Sequence, residues 1–162
     1  MLVAYILTEQ LEADPQGAYA PYKEYVERNR QRFPPGAYAL AASDWYFSNQ
    51  DHRAPHDAWL ESVTFAEPSS GARQEVRSLT LTLRLLGAYH DGHIELRYDR
   101  VHAYRLDGKG LQDGHRDFRY DQFAVDDDGH LVHEIEWWGM DEQARWVIVA
   151  DDVDYRWLPL PA

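Results

Sequence analysis

"SLTLTLRLLGAYHDGHIELRYDRV", residues 78–101, decides the fold. Its first part sets Leu79, Leu81, Leu83 and Leu85 on one side, with Thr80, Thr82 and Arg84 on the other. Beyond His90-Asp91-Gly92, Ile94, Leu96 and Tyr98 oppose Glu95, Arg97 and Asp99. A period of two sends successive side chains to opposite faces of a strand, so each run reads as a strand with one packed and one wet face. Asp-Gly offers the positive φ angles of a tight turn, which makes the pair an antiparallel hairpin.

The same alternation continues on both sides. "DAWLESVTF" (57–65) places Trp59, Val63 and Phe65 together, with Glu61 as the exception. "RWVIVA" (145–150) groups Trp146, Ile148 and Ala150, and "VDYRW" (153–157) groups Val153, Tyr155 and Trp157. In "HLVHEIEWW" (130–138), His133 alternates with Leu131, Ile135 and Trp137, which leaves Glu134 and Glu136 on an expected solvated side. Phe118 and Tyr120 share a face in the strand before it. "LDGKG" (106–110) and "DDDG" (126–129) are turn signals, and "AEPSSGARQ" (66–74) reads as a long, mobile hairpin loop.

The first third has a different period. Tyr22, Val26 and Phe33 mark one face of a helix within 18–33, which Pro34-Pro35-Gly36 ends. "GAYALAAS" (36–43) is a second short helix with Pro35 near its first turn, "SNQDHRAP" (48–55) is a loop, and "MLVAYIL" (1–7) is a strand or short helix. The expected architecture is α+β: a single domain over 1–162, helical and irregular over 1–50. An antiparallel sheet meander of five to seven strands over 56–158 is packed by the N-terminal helix.

The chain has 162 residues, 44% of them hydrophobic, enough for a core without staples. It has no cysteine, so disulfide and thiolate chemistry are excluded, in keeping with a cytoplasmic setting. With 28 acidic against 16 basic residues the net charge is −12, which repels nucleic acid and anionic lipid and favours a basic protein partner or plain solubility. No apolar run approaches the ~20 residues of a membrane span.

Histidine and acid carry what chemistry the sequence offers. His52, His56 and Asp57 form H-x-x-x-H-D, but Pro55 argues for a loop, where that spacing does not place both rings on one metal. His90, Asp91 and His93 surround a turn. His133 lies on an apolar face, where a buried imidazole needs partners for both ring nitrogens. A ligand pocket, if the chain has one, is built from His56, Asp57, Tyr120 and His133. There is no G-x-S-x-G, no phosphate loop and no EF-hand spacing, so neither a catalytic residue, a cofactor nor a metal is assigned.

The order of His56-Asp57, "LTLTLRL", "HIELRYDRV", "FRYDQF", "VHEI" and "WVIVADDVDYRW" resembles a widespread bacterial domain of unknown function over residues 56–158. Asp121 departs from the glutamate of that pattern. The resemblance implies an α+β fold and bacterial origin, and small acidic proteins of this kind are often immunity proteins. The leading expectation is a non-enzymatic protein, for instance of the immunity type, that binds a basic partner through Asp126, Asp127, Asp128, Asp151, Asp152 and Asp154. The rival is a small-molecule- or metal-binding protein, hydrolytic or not, using the His/Asp/Tyr pocket. A homo-oligomer held by a sheet edge stays open.

Overall fold

A computed structural model describes residues 2–139 and 145–162. Three helices, α1 (Thr8–Ala13), α2 (Tyr19–Arg28) and α3 (Pro35–Ala41), precede the sheet. The strands are β1 (Trp59–Ala66), β2 (Ser69–Ser70), β3 (Val76–Arg77), β4 (Thr80–Leu86), β5 (Gly92–Arg105), β6 (Phe118–Val125), β7 (Leu131–Trp137) and β8 (Trp146–Pro159). Six form one antiparallel sheet in the order β1-β4-β5-β8-β7-β6. Two three-stranded meanders therefore meet through their last strands, and β8 ends up in the middle. No helix of the described residues is long and apolar enough to cross a membrane.

The deciding hairpin forms as read. Leu81, Leu83, Leu85, Ile94, Leu96 and Tyr98 are all sealed in the core, in register Leu83↔Leu96. The left-handed residue of its turn is His90 (φ 58), in place of Gly92. Residues 66–77 carry a small arm, the β2–β3 ladder, where a mobile loop was expected.

Pro35 opens α3, and its next two backbone N–H groups, Gly36 and Ala37, each donate to the Asp152 carboxylate at 2.9 Å. An anion suits the positive end of a helix, and this bond pins α3 to β8. Gly36 is needed there: a Cβ would lie 2.1 Å from the Val153 carbonyl oxygen. Helix α2 covers the free edge of β6. The Tyr22 hydroxyl donates to the Phe123 carbonyl (2.8 Å) and accepts its N–H (3.0 Å), while the Tyr25 hydroxyl accepts from Val125 N–H (3.1 Å). Edge groups met by side chains in this way are not free to pair with a second chain.

The two sheet edges approach at one end. Trp59 bridges Asp117, Asp57 N–H donates to the Phe118 carbonyl (2.7 Å), and Phe118 N–H donates to that of Ala58 (2.9 Å). The sheet curls without closing into a barrel.

Three sequence readings need correction. A register shift between Leu60 and Ser62 turns Leu60 towards the core in place of Trp59, which is exposed; Val63 and Phe65 share a face as read, with Phe65 opposite Leu81 but itself exposed. A second shift, between Phe118 and Tyr120, brings Asp121 inward in place of Tyr120. Glu134 and Glu136 are buried, because residues 3–13 lie over that face of β6 and β7: Gln122 Oε1 accepts Tyr5 N–H (2.8 Å), and Glu136 accepts Thr8 N–H (2.6 Å).

Candidate functional site

Where β6 and β7 face the helices, four polar side chains form a buried chain. Asp121 Oδ2 accepts from the Tyr46 hydroxyl (2.7 Å) and faces His133 Nε2 (2.7 Å), whose Nδ1 meets the Tyr98 hydroxyl (2.6 Å). A carboxylate only accepts, so Nε2 carries a proton; in the neutral ring Nδ1 then accepts from Tyr98. His133 also lies face to face with Phe123, centroids 4.2 Å apart. Burial, reinforced by the charge of Asp121, drives the hydroxyls of Tyr46 and Tyr98 well above the usual tyrosine value. Every polar group of His133 is satisfied, as a buried imidazole requires.

On the other side of Asp121 is a small cavity, about 20 Å³, lined also by Tyr19, His56 and Tyr120. That is room for about one water. His56 packs against Tyr120 (5.6 Å, 22°) and donates from Nδ1 to the Arg119 carbonyl at 2.6 Å. Of the pocket residues read from sequence, His56 and Tyr120 thus share this cavity. His133 touches it only through Asp121, and Asp57 is exposed at the sheet seam with φ 66. His52 goes elsewhere, stacking on Tyr89 (3.8 Å, 2°) and pairing with Asp91. His93 pairs with Glu61 at 2.9 Å.

The six aspartates separate into two kinds. Asp126 closes its own turn, with Oδ1 accepting the N–H groups of Asp128 (3.0 Å) and His130 (2.8 Å), and Asp152 holds α3. Asp151 meets His102 (2.6 Å) and Arg100 (3.0 Å). Asp127, Asp128 and Asp154 are exposed.

A larger concavity lies at the seam where β1 and β6 meet. It measures about 430 Å³ and is walled by Trp59, Trp138, His115, Asp113, Arg116 and Asp117. Trp59 and Trp138 are 49% and 47% exposed, which is unusual for two large side chains flanking one groove. Both are held. Trp59 Nε1 donates to Asp117 (2.8 Å), and the Arg119 guanidinium sits 4.0 Å over the Trp138 ring. His115 packs on Trp137 and Trp146 (5.6 and 5.2 Å), and burial pulls its pKa below the usual histidine value. Sequence reading missed this groove because its tryptophans, 79 positions apart, are joined only by the curl of the sheet.

No protein-family model matches the chain, and neither a curated protein nor a solved structure does. The resemblance over residues 56–158 therefore assigns it no family.

Proposed function

We propose that the protein works by binding a basic partner protein, with the Trp59–Trp138 groove as the anchor and the acidic surface as the attractant. The carrying observation is the pair of half-exposed, fixed tryptophans beside a groove of about 430 Å³. Rigid aromatic side chains that fill or form pockets dominate binding energy at protein interfaces. A net charge of −12 raises the encounter rate with a basic protein, and the exposed Asp127, Asp128 and Asp154 contribute to that field. The non-enzymatic reading draws support from the Asp121–His133 chain, whose neighbouring cavity of about 20 Å³ admits little beyond water. Immunity against a basic toxin is the form of this function that the sequence resemblance suggests.

The test is capture from the source organism at low salt, followed by titration of the purified partner. The wild-type chain retains a basic protein, and retention falls as salt shortens the Debye length from ~10 Å at 0.1 M to ~3 Å at 1 M. A Trp59→Ala/Trp138→Ala variant loses it. Asp127, Asp128 and Asp154 changed to asparagine slow association while leaving dissociation nearly unchanged. Equal capture by the double tryptophan variant sinks the proposal.

A further inference from the structure

The opposite end of the sheet carries a second constellation, independent of the groove. Three neighbouring segments meet there: β5 through His102, β8 through Asp151, and the residue entering β7, His130. The ladder runs Val101↔Ala150 and then Ala103↔Val149, so His102 is the extra residue of a bulge. Bulges re-aim a side chain that regular pairing would send elsewhere. The His102 and His130 rings stack at 3.9 Å and 22°, and His102 Nε2 is 2.6 Å from Asp151 Oδ1. One donor atom from each of His102, His130 and Asp151 lies within 4.8 Å of the other two. His130 belongs as well to a second set of the same compactness, with Asp126 and Asp128.

We propose that His102, His130 and Asp151 bind a divalent transition-metal ion of the zinc type, with Asp126 and Asp128 supplying further carboxylate oxygens around His130. Two imidazole nitrogens and one carboxylate select zinc, cobalt or nickel over calcium or magnesium, which prefer an all-oxygen shell. The carboxylates of the site are already held. Arg100 holds Asp151 by Oδ2 (3.0 Å), leaving Oδ1 towards the histidines, and the bonds from Asp128 and His130 N–H to Asp126 Oδ1 fix the turn. For His102 Nε2 and Asp151 Oδ1 to ligate one ion, the hydrogen bond between them must open. Any proton held in that bond leaves when the nitrogen ligates. The three residues are partly exposed, so the ion exchanges with solvent and keeps coordination positions open to water or to a donor from another molecule.

The experiment is equilibrium dialysis of the tag-free full chain against zinc, read by elemental analysis, with cobalt absorption as a direct report of nitrogen ligation. About one zinc per chain is expected at saturation, with a higher melting temperature. His130→Asn and Asp151→Asn each weaken uptake about tenfold or more. His52→Asn, which alters another exposed histidine–aspartate pair, leaves it unchanged. Both altered positions lie outside the core, and the melting curve without metal verifies that each variant folds. Non-saturable uptake, uptake indifferent to His130→Asn, or equal displacement by calcium overturns the proposal.

Discussion

The two halves of the sheet obey the same strand rules and differ in what covers them. In β4 and the first part of β5 burial alternates: leucine, isoleucine and tyrosine inside, threonine, arginine and glutamate outside. In β7 every residue from Leu131 to Trp137 is buried, and β6 is buried from Asp121 to Val125. The alternation of polar and apolar residues is as regular in "EIEW" as in "LTLTL". Gln122, Glu134 and Glu136 therefore mark the face away from the apolar core, and not whether water reaches it. In β6 and β7 residues 3–13 have replaced the water, and Gln122, Glu134 and Glu136 have found protein partners.

The sharpest way to break this comparison is to move a charge across β4. Leu81→Asp puts an unpaired carboxylate into a sealed position, at a cost of several kcal/mol, a large part of the roughly 5–15 kcal/mol that holds a domain together. The variant should show no cooperative melt. Thr82→Asp, one residue on, should stay within about 0.5 kcal/mol of wild type. Cooperative melting of Leu81→Asp would show that the faces are reversed.

Alkali tests the helix-covered side as a whole. Burial raises the pKa of Tyr22, Tyr46 and Tyr98 well above 10.0. In the unfolded chain these hydroxyls ionise near the ordinary value, so the folded state binds more protons above it. Stability is thus complete below about pH 10 and falls as pH rises towards the folded values, by about 1.4 kcal/mol per pH unit for each tyrosine. Urea melts from pH 9 to 11 should show little change up to about pH 10 and approach that slope above it. Tyrosinate absorbance from these residues should appear only with unfolding, and its appearance in the folded protein would contradict their burial.

His133→Ala examines the buried chain itself. It removes a partner from Asp121 and from Tyr98 and leaves a cavity, for an expected loss of about 3–5 kcal/mol. A loss under about 1 kcal/mol in chemical denaturation would mean that water replaces the ring.

How much of this was legible depended on bulges and covers. The hairpin of β4 and β5, the inward set Trp146, Ile148 and Ala150, and the set Val153, Tyr155 and Trp157 could be read directly, since local alternation and packing agree there. His133 was legible as a core histidine for the same reason. Its partner was not, because a one-residue shift between Phe118 and Tyr120 exchanges the faces of a strand, and no residue in "FRYDQF" announces it. The stacked pair His102 and His130 was equally hidden: the residues are 28 positions apart and become neighbours only because β8 inserts beside β5 and β7.

The smallest expected effect makes the most exact comparison, since each half holds an arginine between two glutamates. Arg84 lies 3.5 Å from Glu61 and 3.6 Å from Glu95, and its side chain is 39% exposed on the wet face. Arg145 lies 3.2 Å from both Glu134 and Glu136, which are 11% and 4% exposed. Composition and distance nearly match, so covering is the main variable. In water the Coulomb gain is offset by hydration and side-chain entropy, and an exposed pair contributes about 0–1 kcal/mol. Under cover, removing the cation leaves carboxylates that cannot be rehydrated without lifting the N-terminal segment, a loss of about 2–4 kcal/mol after allowing for the partial exposure of Arg145. Arg145→Met should therefore lower stability clearly and keep most of that loss at high salt. Arg84→Met should cost about 0.5 kcal/mol or less, fading as salt screens the surface. Denaturant melts of both variants at low and high salt give the comparison. Equal losses would mean that residues 3–13 do not seal β6 and β7 in solution, and that Glu134 and Glu136 face water after all.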